Sequence, residues 1–313
     1  MIIRRYNELD FDTWNEFLSS CKNSHFIFNR LYMDYHSDRF IDHSLLIYDD
    51  KGKVIALFPA NENNKEIHSH QGLTFGGVIT DNKMTTSKML DIFELITAYY
   101  KKHSIGKVYY KAIPHIYTSV PAEEDRYALF RLKASRYRAD VSTTICRDRV
   151  LPYQTLRKRM IKKASNVKLD LREDTCLVDF WALLSKVLRL EHGTNPVHTL
   201  DEITLLRTRF PENIRCHGIY FEDELIAGVL VFSNEGIAHC QYIAANMEAR
   251  KIGALDYLID QLINIVYKDK KYFDFGTSNE ENGLVLNTGL IFQKEGFGAR
   301  AIVHDFYEIN IDD

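Results

Sequence analysis

The predicted fold rests on the segment Tyr272–Phe297, YFDFGTSNEENGLVLNTGLIFQKEGF. This segment predicts a short strand at Tyr272–Phe275, a polar loop at Thr277–Asn282 and a helix that ends before Gly296. The helix prediction depends on apolar residues with helical spacing, which are Leu284, Leu286, Leu290 and Ile291. In α/β folds, a strand that opens into a polar loop and then a helix commonly binds a ligand at its carboxyl end. We therefore expect a ligand site here.

The composition indicates an ordinary globular protein with room for two hydrophobic cores. The chain has 313 residues, of which 45% are hydrophobic and 27% are charged, with a formal charge of -3. This balance gives no general attraction for nucleic acid, so we expect no DNA partner. Five cysteines occur without a CxxC pair, and the start, MIIRRYNELD, lacks the apolar core of a signal peptide. No apolar window approaches the roughly 20 residues of a membrane span, so we expect a cytoplasmic protein.

The element order of the second half repeats that of the first half. A predicted hairpin at Ser44–Phe58 corresponds to one at Arg215–Phe232, and each is followed by strand, helix, strand, helix and strand. The strand Tyr272–Phe275 then corresponds to Val108–Lys111. Predicted helices include Phe26–Tyr35, Thr85–Lys102 and Arg250–Tyr267. Repetition at this scale predicts an α/β, layered fold with a duplicated domain.

Three short motifs resemble the Fem-type aminoacyltransferases and related acyltransferases of the GNAT superfamily. They are Asp274–Gly276 (DFG), Gly289–Leu290 (GL) and Lys294–Phe297 (KEGF), in the order found in that family. The basic helix Leu156–Lys163 and the segment Lys111–Pro114 are also similar. The resemblance implies two tandem GNAT-like acyl-CoA N-acyltransferase domains, each a mixed, mainly antiparallel sheet flanked by helices. We place them at residues 1–150 and 151–313.

The resemblance also implies a function. An acetyl, acyl or aminoacyl group would pass to an amine acceptor by direct attack, with the first domain on the acceptor side and the second on the acyl-donor side. The implied donor is acetyl-CoA or another acyl-CoA, and no metal is implied. One alternative is an aminoacyl-tRNA-dependent ligase that acts on a peptidoglycan precursor, with tRNA as a partner. Another alternative is a non-catalytic binding protein that retains the fold. The oligomeric state is left open.

Donor-binding residues follow from the acetyl-CoA signature of the GNAT fold, Gln/Arg-x-x-Gly-x-Gly/Ala. Arg250 and Gly253 fit this pattern, whereas Leu255 stands at its final small position. A helix start of this kind offers backbone N–H groups to phosphate. The candidate cofactor-binding residues are Gln241, Tyr242, Arg250, Lys251 and Gly253.

Three residues are candidates for catalysis. Lys294 would balance charge on a phosphate or a developing oxyanion, and its alternative is an ordinary solvated lysine. Asp274 would act as a base or cation ligand, or else cap the loop that follows it. His192 would accept a proton from an ammonium nucleophile, or else serve in capping and packing. The candidate substrate-binding residues are Gln71, Thr74, Lys111, Asn195, Ser278 and Asn279.

Overall fold

The computed structural model describes residues 1–311, apart from the side chain of His192. The strands are β1 (Ile2–Arg5), β2 (Ile41–Asp42), β3 (Leu45–Tyr48), β4 (Val54–Phe58), β5 (Asn61–Asn63), β6 (Glu66–His68), β7 (Ile79–Thr80), β8 (Lys107–Lys111), β9 (Ser135–Cys146), β10 (Asp170–Arg172), β11 (Ile214–Phe221), β12 (Glu224–Ser233), β13 (Ile237–Ala245), β14 (Tyr272–Thr277), β15 (Asn279–Glu280), β16 (Val285–Leu286) and β17 (Arg300–Asn310). The helices are α1 (Phe11–Ser19), α2 (Arg30–Met33), α3 (Thr86–Lys102), α4 (Glu124–Arg131), α5 (Thr155–Ala164), α6 (Leu177–His192), α7 (Leu200–Arg209), α8 (Met247–Ile252), α9 (Ala254–Gln261) and α10 (Thr288–Glu295).

The first compact unit contains Met1–Asp140, Asn279–Val285 and the chain from Val303 onward. Strands β1, β3, β4 and β7 form an antiparallel sheet in that order. A second row of strands has the order β17, β8, β6, β5 and β2, in which β6 and β8 are parallel. Helix α3 buries Ile92 and Phe93 against the core, as its apolar spacing predicts.

The second compact unit contains Val141–Ser278 and Leu286–Ile302. Its strand order is β10, β11, β12, β13, β14 and β9, and the pairs are antiparallel except for β13 with β14. Helix α9 packs on β11 and β12, and α5 packs against α9. The core between them includes Leu258, Ile259 and Phe273. This packing brings α5 to the carboxyl end of β13, where the donor loop was predicted.

Both predicted hairpins are present, because β3 pairs with β4 and β11 pairs with β12 in antiparallel register. Each unit also contains one parallel pair, β6 with β8 and β13 with β14. The predicted α/β fold with mixed, mainly antiparallel sheets and flanking helices is therefore confirmed. The division at residues 150 and 151 into an acceptor side and a donor side stays a prediction.

The helix predicted in the opening segment begins later than its apolar spacing indicated. Helix α10 starts at Thr288, because the Asn287 side chain accepts a hydrogen bond from the Leu290 N–H and caps the helix. Leu284 and Leu286 precede this cap, so their assignment to the helix was wrong.

Two other predicted helices are interrupted. The segment Phe26–Tyr35 is broken at Asn29, whose extended backbone separates a 3-10 turn from α2. The segment Arg250–Tyr267 is divided at Gly253, where a φ of 85° ends α8 and precedes α9. A π-helical turn at Leu262–Val266 then extends α9.

Neither a membrane-spanning helix nor a metal-binding cluster occurs among the described residues. Residues 1–311 contain no helix with the length and apolar character needed to cross a membrane. The same part of the chain has no group of three or more His, Cys, Asp or Glu side chains arranged to hold a metal ion.

Candidate active site

The candidate site lies where two parallel strands of the second unit part. The parallel pairing of β13 with β14 joins Ile237–His239 to Tyr272–Asp274. Further along, Ala245 on β13 and Phe275 on β14 face a common cavity of about 690 Å³. Because the strands separate here, ligand-sized space opens inside a sheet that is otherwise continuous.

Helices α5, α6, α9 and α10 close the cavity around the parted strands, and most lining residues are hydrophobic. The hydrophobic ones are Leu156, Met160, Val187, Leu188, Ile243, Ala245, Leu255, Ile259, Phe275, Leu290, Phe292 and Phe297. The charged ones are Arg157, Glu191, Arg250, Asp256 and Lys294. Such a volume falls in the range of small-molecule and cofactor sites, about 300–1,000 Å³.

Lys294 forms part of the cavity wall and fixes the end of β14. Its side chain is buried, and Nζ donates hydrogen bonds to the carbonyl oxygens of Gly276 and Thr277, each at 2.8 Å, and to Ser278 Oγ at 2.9 Å. Burial lowers the pKa of Lys294 to about 8, so the ammonium form still predominates at neutral pH. The alternative of a solvated lysine is therefore wrong.

Asp274 is fully buried at the point where the strands part. Its Oδ1 accepts hydrogen bonds from Ser142 Oγ at 2.5 Å and Thr144 Oγ1 at 2.6 Å, and His239 Nδ1 lies 2.6 Å from Oδ2. The contact with Asp274 holds the imidazole ring of His239 in place beside the parting strands. Asp274 is not among the residues that line the cavity, and its proposed catalytic role stays a prediction.

A β-bulge places Gln241 beside the parting strands. Cys240 pairs with Val231 and Tyr242 pairs with Leu230, which leaves Gln241 as the extra residue. Its Oε1 atom is buried and has no hydrogen-bond partner among the described residues. A buried acceptor of this kind costs stability until a donor reaches it. Gln241 also hydrogen-bonds with the Tyr242 side chain and is not among the residues that line the cavity, so its role in binding stays a prediction.

Tyr242, the next candidate along β13, joins that strand to the loop before α7. Its hydroxyl lies 2.7 Å from His198 Nδ1, and its ring makes an edge contact with Trp181. In the same loop, Asn195 is exposed and its Oδ1 accepts a hydrogen bond from Arg189 Nε at 3.1 Å. His192 ends α6, and its side chain lies outside the described residues.

Other groups of the protein already contact the predicted donor loop after β13. A Cβ added to Gly253 would lie 2.4 Å from the carbonyl oxygen of Met160, so α5 sits directly against this loop. Lys163 Nζ donates to the Lys251 carbonyl oxygen at 2.9 Å. At the rim, Arg250 forms an ion pair with Glu191 at 2.8 Å. Arg250 therefore already has a carboxylate partner.

The first turn of α9 already carries a carboxylate of the protein, that of Asp256. The carboxylate of Asp256 accepts a hydrogen bond from its own backbone N–H and pairs with Arg157 Nη1 at 2.5 Å. Both side chains are nearly buried, and burial raises the pKa of Asp256 while Arg157 opposes that rise. A diphosphate at this helix start would face a carboxylate. The residues present therefore do not fit the diphosphate of coenzyme A at this position.

The remaining candidates lie in the first unit. Lys111 Nζ donates to the carbonyl oxygens of His70, Gln71 and Leu73, and burial lowers the pKa of Lys111 to about 8. Gln71 is also paired with the Asn61 amide, whose Nδ2 donates to Gln71 Oε1 at 2.8 Å. Thr74 is exposed, and Asn279 Nδ2 donates to the Gly283 carbonyl oxygen. Lys294 and Ser278 therefore lie together in the second unit, whereas Lys111, Gln71, Thr74 and Asn279 belong to the first unit.

Sequence reasoning missed Arg157, Asp256 and His239. Arg157 is one of several cations in the basic helix Leu156–Lys163, and Asp256 is a polar position within the predicted helix Arg250–Tyr267, so neither stands out in the sequence. No local pattern reveals that two residues 99 positions apart form a buried pair. The contact of His239 with Asp274 depends on the strand register that places the two residues opposite each other. That register is known only once the parallel pairing of β13 with β14 is known.

Comparison with known proteins places this geometry in a recognised fold. Residues 153–281 match the family model described as an acetyltransferase (GNAT) domain. The chain is similar to the crystal structure of FemX, with 8% sequence identity, a TM-score of 0.69 and coverage of 99% of this chain and 97% of FemX. It is also similar to a tandem GNAT protein from the clavulanic acid biosynthesis pathway, at 11% identity, a TM-score of 0.55 and coverage of 99% and 98%.

The chain has a Fem-like tandem GNAT fold. The resemblance expected from the DFG, GL and KEGF motifs is confirmed at the level of the fold. The chain is similar to L-PGS from Bacillus licheniformis as well, at 13% identity, a TM-score of 0.64 and coverage of 100% of this chain and 95% of that one. No curated protein matches the sequence.

Proposed function

We propose that the second unit transfers an acyl or aminoacyl group from an activated donor to an amine. The observation that supports this most strongly is the cavity at the divergence of β13 and β14, two strands that lie inside the region matching the GNAT family model. In the reaction the amine nitrogen attacks the acyl carbonyl carbon, and the new C–N bond replaces the C–O or C–S bond of the donor. The nitrogen loses a proton and the leaving oxygen or sulfur gains one.

Lys294 supports the developing negative charge in this proposal. Its ammonium group lies at the cavity wall and holds the Gly276 and Thr277 carbonyls in place. Its three N–H groups are all donated to protein oxygens, so Lys294 acts on a developing oxyanion through its fixed positive charge and not through a direct hydrogen bond. Gln241 Oε1, on the bulge, would accept an N–H from the acceptor amine or from an amide of the donor.

The donor in this proposal is not anchored by a diphosphate at the start of α9, because Asp256 and Met160 take up that space. An acyl-CoA would have to place its diphosphate elsewhere.

An aminoacyl-tRNA is a second candidate donor. It is favoured because one face of α5 lines the cavity and the other face carries exposed cations. Arg157 and Met160 line the cavity, whereas Lys158, Arg159 and Lys162 are exposed. Exposed cations beside a cavity suit a phosphate backbone. The acceptor under this candidate is the amine of a peptidoglycan precursor.

A single-turnover assay with the full chain tests the proposed function. The enzyme is mixed in excess with acetyl-CoA, a longer acyl-CoA or an aminoacyl-tRNA and with a panel of amines, including a UDP-linked muropeptide. Mass spectrometry then detects the new amide. We expect one donor class to give product that depends on the enzyme. Product from none of the donors, with no ligand raising the melting temperature, would instead favour a non-catalytic binding protein.

A further inference from the structure

The charged residues of the cavity wall are all engaged within the second unit. Arg157 pairs with Asp256 and Arg250 pairs with Glu191. The ammonium group of Lys294 already donates to oxygens of residues 276–278. Among the described cations of the wall, Arg157 and Arg250 are thus neutralised by carboxylates, and Lys294 has no N–H group left to donate to a phosphate or carboxylate. The charges of the wall therefore do not recruit an ionic ligand into the cavity.

Most of the rest of the wall is apolar, and the volume of the cavity far exceeds that of an acetyl group. Ile243 and Leu255 face the cavity from β13 and α9, and Val187 and Leu188 face it from α6. Water gains few hydrogen bonds against such a surface, so filling it with hydrocarbon is favourable. A cavity of about 690 Å³ is suited to a ligand of many heavy atoms.

The apolar wall continues to the protein surface at α10. Leu290 and Phe292 line the cavity, yet these residues are 38% and 54% exposed. An apolar rim of this kind marks the entrance for an apolar group. The polar end of such a ligand would remain near Lys294 and Gln293, which line the same cavity.

We propose that this cavity binds a long aliphatic acyl chain, so that the transferred group is a fatty-acyl group supplied as a long-chain thioester. The inference deepens the proposed acyl transfer and rests on it for the chemical step. In that step the amine nitrogen bonds to the acyl carbon, the carbon–sulfur bond breaks, and the leaving thiol takes up the proton that the amine releases.

Binding can be tested apart from catalysis with uncharged product analogues. N-methyl alkanamides with chains of about 2 to about 12 carbons are titrated into the full-length protein by calorimetry. Each buried CH₂ contributes about 0.8 kcal/mol, so the affinity should rise about fourfold per added CH₂ until the cavity is filled. The heat-capacity change should become more negative along the series. Affinity that does not depend on chain length would overturn the proposal.

Gly289 offers a substitution that narrows the cavity with little risk to folding. It lines the cavity within α10, and an added Cβ would meet nothing closer than Asn287 Oδ1 at 3.7 Å. Gly289→Leu should cancel the affinity gained by the longest chains. The matched control is Gly236→Leu, in a turn of the same unit where an added Cβ meets nothing within 4 Å. Equal long-chain affinity in both variants and the wild type would contradict the assigned binding site.

The transfer assay separates this inference from the proposed function. Transfer of acetyl or aminoacyl groups without any long-chain binding would reject the fatty-acyl inference and leave acyl transfer intact. Chain-length-dependent binding without transfer from any donor would support the cavity assignment and reject the catalytic function. If product forms from an aminoacyl-tRNA and the affinity for the amides does not depend on their chain length, the donor is an aminoacyl-tRNA and not a fatty-acyl thioester.

Discussion

At the scale of single residues, Lys294 links the stability of the second unit to its chemistry. Three oxygens accept hydrogen bonds from its ammonium group, and removal of this group leaves them buried without that donor. We expect Lys294→Met to lower the free energy of unfolding by about 1–3 kcal/mol at pH 7. Urea denaturation measures this difference. An unchanged free energy would show that water replaces the ammonium group freely.

The pKa of Lys294 also predicts a pH dependence. Its folded-state pKa is about 8, below the ordinary value of 10.5, so the unfolded chain binds more protons between these two values. Stability should therefore rise with pH in that window, relative to Lys294→Met. Because Lys111 also has a pKa of about 8, only the difference between wild type and variant isolates Lys294. A difference that falls with pH between about 8 and about 10.5 would contradict the lowered pKa.

Gln241 allows a functional role to be separated from a structural one. Its Oε1 atom is buried without a hydrogen-bond partner among the described residues, so Gln241→Met removes an unsatisfied acceptor, which offsets the loss of the hydrogen bond with the Tyr242 side chain. We expect unchanged or higher stability, by up to about 1 kcal/mol, together with a rise in KM for the amine acceptor. Thermal unfolding and steady-state kinetics measure the two effects. Loss of stability with unchanged kinetics would assign Gln241 to packing alone.

At the scale of elements, the Arg157–Asp256 pair fastens α5 to α9. The two side chains are 12% and 8% exposed, so either charge alone would be left nearly buried. We expect Arg157→Met to destabilise the protein by about 3–5 kcal/mol. The double variant Arg157→Met/Asp256→Leu should be more stable than this single variant, because it leaves no unpaired charge. A double-mutant cycle with additive free energies would show that the pair does not couple the helices.

Regular periodicity made some elements predictable, and caps and tertiary contacts determined the others. Helix α3 and both hairpins follow from apolar spacing and turn residues. Leu284 and Leu286 have helical spacing, but the Asn287 cap places the helix start after them. The break at Gly253 depends on its φ of 85°, a conformation that spacing alone does not specify.

At the scale of the whole molecule, the two units repeat one arrangement with different details. Each has a parallel strand pair and a lysine whose Nζ donates to backbone carbonyl oxygens, the half-buried Lys111 in the first unit and the buried Lys294 in the second. The motifs of Tyr272–Phe297 pointed to the second unit as the chemical one. They did not indicate the lining of the cavity, because its walls come from helices far apart in the sequence.

The central claim is that amide formation takes place at the cavity of the second unit. The most direct test compares single-turnover rates of Lys294→Met and Lys270→Met, with folding verified by near-UV circular dichroism. Lys270 is the matched control, because its Nζ also donates to backbone carbonyl oxygens of this unit, those of Asn234 and Glu235, and it does not line the cavity. We predict at least about a tenfold loss for Lys294→Met, which corresponds to about 1.4 kcal/mol in the barrier, and no comparable loss for Lys270→Met. Equal rates in the two folded variants would contradict the claim.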